Sequence, residues 1–157
     1  MEVYVGVEGY TLPSGYIIKE LTIIYPNAEY SHYIFEKPKD IMLTAQDEMT
    51  IRYATRNIHS LNFADGDISY DQIGVILGKL EDYFIYTYSS IAAKFIQQFL
   101  PTSVVTNTKD LGHILAESQP DPNCFRIHRD YRYCAKAKAI EVKDFIENEL
   151  YTQYSGQ

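Results

Sequence analysis

Two cysteines and a histidine lie close together late in the chain, and their types and spacing are those of metal ligands. Cys124, His128 and Cys134 form a Cys-x3-His-x5-Cys pattern that begins after a proline-containing segment and leads into a predicted helix. Thiolate sulfur and imidazole nitrogen are ligands that zinc prefers, and three of them fill three corners of a tetrahedral site. The pattern therefore predicts a structural zinc ion.

A tetrahedral site needs a fourth ligand from elsewhere in the chain. His59, which follows a predicted helix, is the preferred candidate, and Glu8 and His113 are the alternatives. Three other interpretations of the motif stay open: buried thiols beside a surface histidine, a disulfide between Cys124 and Cys134, or a cysteine nucleophile assisted by histidine. A chain with only two cysteines is typical of a reducing compartment, so we expect a cytoplasmic or nuclear protein.

Basic and aromatic side chains alternate around the same motif. Six basic residues oppose two acids between positions 126 and 143, whereas the whole chain carries a net charge of −7. Arginine and tyrosine together can contact the phosphates and bases of a nucleic acid, and both are also enriched at protein interfaces. The segment is thus either a solvated helix face or a binding patch. The candidate binding residues are Arg126, Arg129, Tyr131, Arg132 and Lys136.

The length and composition predict one globular domain. The 157 residues are 46% hydrophobic and 22% charged, which is ordinary for a folded domain. We expect a core over 1–151 and a tail over 152–157. No apolar run reaches the ~18 residues of a membrane span, and no signal-peptide pattern precedes the first predicted strand.

Hydrophobic periodicity predicts the elements that position these residues. Three β-branched and aromatic runs separated by short turns predict an antiparallel meander, and a helical period with an N-cap at Thr44 follows. The predicted strands are 3–7, 16–25, 30–35, 83–88 and 104–105, and the predicted helices are 44–58, 69–80, 90–100, 109–115 and 133–151. This order predicts a mixed α/β fold, and several sandwich folds share it.

Several short blocks of the sequence resemble a known family. Its proteins are uncharacterised, occur in invertebrate mobile elements and viruses, and have an exonuclease-like ribonuclease H core. The matching blocks are Gly9-Tyr10, Ile18-Lys19-Glu20-Leu21, His59-Ser60-Leu61-Asn62-Phe63, Gly66-Asp67-Ile68 and the Cys124–Cys134 motif with Ala135. The chain departs from the family pattern with Ser60 in place of glycine and Phe63 in place of tryptophan. The resemblance implies a ribonuclease H-like fold over nearly the whole chain. In this α/β fold, three antiparallel strands and a following strand-helix-strand-helix form a mixed five-stranded sheet with helices on both faces.

The motif is also similar to that of the Maelstrom domain, a ribonuclease H-like module in which Glu, Cys, His and Cys hold a zinc ion. Carried over, Cys124, His128 and Cys134 match the last three of these ligands, and Glu8 or His59 takes the place of the first.

The resemblance also raises the question of nuclease activity. Active exonucleases of this fold use four acids and two divalent ions, and their first strand carries Asp-x-Glu. Here the matching residues are Gly6-Val7-Glu8, the stretch 83–90 contains no acid, and the last helix carries basic and apolar residues. We therefore predict a catalytically degenerate, exonuclease-like domain. It would bind nucleic acid, with RNA favoured, or a protein partner; the alternatives are an active 3′–5′ exonuclease using Glu8 and a host-interaction protein that binds no nucleic acid.

The acidic turn Asp65-Gly66-Asp67 is a weaker signal. Paired aspartates around a glycine occur in calcium loops, but the further acids of such a loop are missing here. We interpret this segment as a plain turn.

Overall fold

The computed structural model describes residues 1–58, 60–115 and 134–150, and these follow the predicted order of strands and helices. The strands are β1 (Glu2–Leu12), β2 (Gly15–Ile24), β3 (Tyr30–Ile34), β4 (Phe84–Thr87) and β5 (Val105–Asn107). The α-helices are α1 (Ala45–Asn57), α2 (Ile73–Gly78), α3 (Ser90–Phe99) and α4 (Ala135–Asp144). Two 3-10 turns (Tyr70–Gln72 and Thr108–Leu111) and a π-helical end (Phe145–Leu150) complete the described elements.

The five strands form one mixed sheet, as the sequence predicts. Their order across the sheet is β3-β2-β1-β4-β5. The first three strands pair antiparallel, whereas β4 runs parallel to β1 and β5 runs parallel to β4. The parallel pairs follow from the chain connections, because helical crossovers return the chain to the same edge of the sheet.

Helices cover both faces of the sheet because side chains alternate along β1. Val3, Val5 and Val7 are buried in one apolar cluster with residues of α2 and α3. Tyr4 lies in a second cluster with Ala139 and other residues of α4. The far end of β1 packs against α1 in a third cluster. The α/β prediction is confirmed at this level.

The boundaries of three predicted helices differ in the structure. At the capping box predicted for Ser69, the Ser69 side chain accepts a hydrogen bond from the amide of Asp71 and caps a 3-10 turn, and α2 begins only at Ile73. The helix predicted over 109–115 is a short 3-10 turn that ends at Gly112, whose φ of 92° stops a right-handed helix. The last helix changes to π-helical geometry after Asp144. The N-cap prediction at Thr44 is confirmed, with the reciprocal hydrogen bonds of a capping box.

Candidate functional site

Helix α4 crosses β1 in direct backbone contact at Gly6. A Cβ atom at this position would overlap the carbonyl oxygen of Ala135 and lie 2.9 Å from the amide nitrogen of Ala139. Only glycine fits here, because the helix backbone fills the space a side chain would need. The position at which the resemblance would put the first catalytic aspartate is therefore closed by α4.

Glu8 follows on β1 and lies under the same helix. Its side chain is buried, and its Oε1 forms an ion pair with Nζ of Lys138, one turn into α4. The register of β1 and β2 shifts immediately after Glu8, between Glu8 and Gly9. The carboxylate that the resemblance offers as a metal ligand thus has a cationic partner from the last helix.

A second glutamate lies directly across from Glu8 on the neighbouring strand. Glu20 is paired with Glu8 in the β1–β2 register and is fully buried. Its Oε1 accepts a hydrogen bond of 2.7 Å from the backbone amide of Ala135, and its Oε2 lies 2.6 Å from Nε2 of His32 on β3. A carboxylate at the start of a helix is favoured, since the first amides have no partner within the helix. Glu20 therefore connects β2, β3 and the start of α4.

Cys134 is the N-cap residue of this same helix. Of the preferred zinc ligands, it is the one that lies within the described residues; the alternatives Glu8 and His113 are also described. Cys134 is 1% exposed and immediately precedes Ala135, whose amide contacts Glu20. Cys134 is thus enclosed at the start of α4, next to the amide that Glu20 binds.

The other predicted zinc ligands, His59, Cys124 and His128, lie outside the described residues. Within residues 1–58, 60–115 and 134–150, no group of three or more His, Cys, Asp and Glu side chains is arranged to hold a metal ion. The zinc prediction thus remains a prediction.

His113, an alternative fourth ligand, lies far from Cys134. Its Nδ1 is 2.8 Å from the hydroxyl of Thr108, and its ring stacks on Phe145 with centroids 4.6 Å apart. Phe145 comes eleven residues after Cys134, about 16 Å along a helix. Burial lowers the pKa of His113, so the ring is a neutral packing group at the other end of α4.

Each lysine of the basic segment within the described residues contacts another side chain of the protein. Lys136 is 7% exposed and its Nζ lies 4.2 Å from the centre of the Tyr30 ring. Lys138 pairs with Glu8, and Lys143 lies 3.0 Å from Glu147. The other candidate binding residues, Arg126, Arg129, Tyr131 and Arg132, lie outside the described residues.

Lys19, in the block Ile18-Lys19-Glu20-Leu21, is buried and makes hydrogen bonds to the backbone. Nζ of Lys19 donates hydrogen bonds to the carbonyl oxygens of Phe35, Phe63 and Asp65, which ties the segment 63–65 to the end of β3. Desolvation by burial lowers the pKa of Lys19 to about 8. In the acidic turn, the Asp67 carboxylate accepts a hydrogen bond of 3.0 Å from the amide of Ile34. The Asp67 carboxylate thus joins this segment to the end of β3.

Glu20, His32 and Lys19 do not appear among the predicted site residues. The sequence carries one signal for two of them: Lys19 and Glu20 are adjacent charges inside the otherwise apolar run 16–25. Charged residues are rarely buried unless they are paired, so this interruption marks an internal polar contact. Their partners come from β3, α4 and the 63–65 segment, and local sequence does not reveal them.

Comparison with protein-family models, curated proteins and solved structures finds no match to this chain. No helix among the described residues has the length and apolar character needed to cross a membrane.

Proposed function

We propose that the chain is a ribonuclease H-like domain that has lost the two-metal nuclease site and acts by binding, with RNA as the favoured partner. The order of the elements and the mixed sheet with β4 and β5 parallel to β1 support this assignment of the fold. The proposal places the protein in the cytoplasm or nucleus, as a product of a virus or mobile element.

The loss of catalysis is supported by the contacts beneath α4. Two-metal hydrolysis of a phosphodiester needs several carboxylates around two cations. The backbone of Ala135 closes the space above Gly6, and Lys138 supplies the positive charge next to Glu8. An ammonium group paired with a carboxylate competes directly with a divalent ion for it. The Glu8–Lys138 ion pair is the observation that carries this part of the proposal.

A structural zinc ion is the second part of the proposal. Cys124, His128 and Cys134 would hold it, with His59 as the preferred fourth ligand and Glu8 as the alternative. The buried position of Cys134 at the start of α4 supports its role. Zinc bound there would fix the segment that precedes α4 against the sheet, because metal binding to a folded site is coupled to folding.

Zinc content and thermal stability test this part together. The wild-type protein should carry one zinc ion per chain, and Cys134→Ser should release it and lower the melting temperature. Retention of stoichiometric zinc in Cys134→Ser would contradict the assignment. If Glu8→Gln loses zinc while His59→Ala keeps it, Glu8 is the fourth ligand.

Binding is assigned to the arginine-rich segment. Arg126, Arg129 and Arg132, with Tyr131 between them, supply the charge and stacking surface that single-stranded RNA requires. Lys136, the remaining candidate, is buried against Tyr30 and would act by supporting this segment.

A salt-dependent titration tests RNA binding. The affinity for a single-stranded RNA should fall as salt rises, and a triple Arg→Ala variant at positions 126, 129 and 132 should lose binding while it keeps its fold. A wild-type protein that binds neither RNA nor DNA at low salt would exclude this partner. Loss of a protein partner by the same variant would then identify the segment as a protein interface.

A nuclease assay tests the competing enzyme hypothesis. We expect no release of nucleotides from single-stranded RNA or DNA with magnesium or manganese. Turnover that Glu8→Gln abolishes would show an active 3′–5′ exonuclease.

A further inference from the structure

A shallow, open cleft of about 400 Å³ lies between α1 and the segment that follows it. This volume lies within the ~300–1,000 Å³ typical of small-ligand sites. Its lining residues within the part of the chain that the structure describes are Ile51, Arg52, Thr55, Arg56, Asn62 and Phe63. None of these six carries a negative charge, although the whole chain has a net charge of −7. The described lining residues therefore carry positive charge, whereas the chain as a whole is acidic.

Two arginines one helical turn apart give the cleft its charge. Arg52 and Arg56 are separated by four residues on α1, so their side chains lie on the same side of the helix. Arg52 forms an ion pair with Glu48 at a distance of 4.0 Å. The side chains of Arg52 and Glu48 are each more than half exposed. An exposed ion pair of this kind contributes little, so Arg52 can exchange Glu48 for a stronger anion at small cost. Paired guanidinium groups suit the oxygens of a phosphate.

Hydrogen bonds hold the two walls of the cleft together. The hydroxyl of Tyr10 donates to the carbonyl oxygen of Leu61 and lies 3.1 Å from the hydroxyl of Thr55. Thr55 also donates to the same carbonyl oxygen, at 3.3 Å. These contacts join β1, α1 and the 61–63 segment before any ligand binds. A preformed cleft loses less conformational entropy on binding than a flexible one.

An aromatic ring and an amide complete the lining. The Phe63 ring is half-buried and meets Tyr10 edge to face, with centroids 5.2 Å apart. Aromatic rings bind nucleobases by stacking, and this interaction accepts any base. The side chain of Asn62 is exposed beside it; its Oδ1 accepts a hydrogen bond of 3.1 Å from the amide of Ala64, and its Nδ2 offers donors to a base edge.

We propose that this cleft binds a nucleotide, with its phosphate at Arg52 and Arg56 and its base against Phe63. The ligand is either a free nucleoside monophosphate or one nucleotide of a single strand, and both present the same chemistry. The site uses none of the residues assigned to RNA binding above, so it stands or fails independently of that assignment.

Nuclear magnetic resonance titration of the 15N-labelled protein tests the site. The probes are AMP, adenosine, inorganic phosphate and a 5′-phosphorylated tetranucleotide. AMP should shift the signals of residues 52–56, 62 and 63 and should bind at least about tenfold more tightly than adenosine, since charge-assisted hydrogen bonds to the phosphate are lost in adenosine. Absence of binding at millimolar AMP, shifts confined to other residues, or equal affinity for adenosine would overturn the proposal.

Two charge-matched variants separate the cleft from general electrostatics. Arg52→Ala with Arg56→Ala should weaken AMP binding at least about tenfold. Lys79→Ala with Lys94→Ala removes the same charge from exposed positions at the end of α2 and on α3, and should change the affinity less than about twofold. An equal loss in both variants would show that net charge alone attracts the ligand and would overturn the site.

The remaining probes identify the source of the nucleotide. Phe63→Leu should weaken AMP and leave inorganic phosphate unchanged; an unchanged AMP affinity would overturn the role given to the ring. Equal affinities for AMP and the tetranucleotide support a free nucleotide as the ligand. A tetranucleotide that binds at least about tenfold more tightly supports a strand.

Discussion

The two faces of the sheet are built in different ways. The face under α2 and α3 is apolar, with Val3, Val5 and Val7 packed in the largest buried cluster. The face under α4 carries the paired glutamates Glu8 and Glu20 in its centre. Apolar packing stabilises a fold without requiring specific partner atoms. Buried charges, in contrast, are tolerated only where oppositely charged or hydrogen-bonding groups contact them. We infer that the apolar face supplies most of the stability and the charged face fixes where α4 sits.

The largest expected effect comes from breaking the charged face. Glu20→Ala leaves the amide of Ala135 and His32 without the carboxylate that they contact, and should cost about 3–5 kcal/mol of unfolding free energy. Chemical denaturation measures this cost. Glu20→Gln keeps an acceptor of the same shape and should cost less. Equal costs for the two variants would contradict the role given to the amide contact.

A cavity on the apolar face should lower the free energy of unfolding slightly less than the loss of Glu20 does. Leu77 is fully buried in the cluster beneath α2, and Leu77→Ala should lower the free energy of unfolding by about 3 kcal/mol. The position of α4 should not change, so the accessibility of Cys134 to a thiol reagent in the native state should stay low. Rapid labelling of Cys134 in this variant would show that the two faces are not independent.

A third test uses the pH dependence of the buried lysine. The pKa of Lys19 is about 8 in the folded protein against 10.5 ordinarily, so the unfolded chain binds more protons between these values. Stability should therefore rise with pH, by about 2 kcal/mol between pH 7.5 and 9.5.

The control for this test is Lys19→Met, which should remove the rise. At higher pH the buried tyrosines have the opposite effect on stability. Burial raises the pKa of Tyr10 to about 12, so the unfolded chain loses this proton first and stability falls as the pH rises above 10. If the wild-type stability does not change from pH 7.5 to 9.5, burial does not lower the pKa of Lys19 in the folded protein, and the prediction is wrong.

The smallest expected effect is a gain in stability. Ser60 has a φ of 61°, in the left-handed region that favours glycine, and glycine stands here in the family pattern that the sequence resembles. Ser60→Gly should stabilise the fold by about 0.5–1 kcal/mol, since relief of strain exceeds the added entropy of the unfolded chain. Thermal unfolding measures the gain. Ser60→Ala, which keeps the strain, is the matched control and should give none.

The sequence predicted the elements better than it predicted the contacts between them. The β-branched runs and the cap at Thr44 are local signals, and the structure confirms them. The Glu8–Glu20 pair depends on the register of two strands, and the Glu20–Ala135 hydrogen bond joins residues 115 positions apart. Neither of these two contacts produces a periodic pattern in the sequence. A polar residue in a strand shows that a partner exists and does not say which residue it is.

The absence of a side chain at position 6 limits how this protein can evolve. Any single substitution at Gly6 pushes against the backbone of α4, the helix that also carries Cys134 and Lys138. A new aspartate there would have to arise together with a displaced helix and a new partner for Glu8. Each intermediate on that route would be destabilised before it gained a metal-binding group. The close approach of helix and strand therefore makes Gly6 hard to replace by a single mutation.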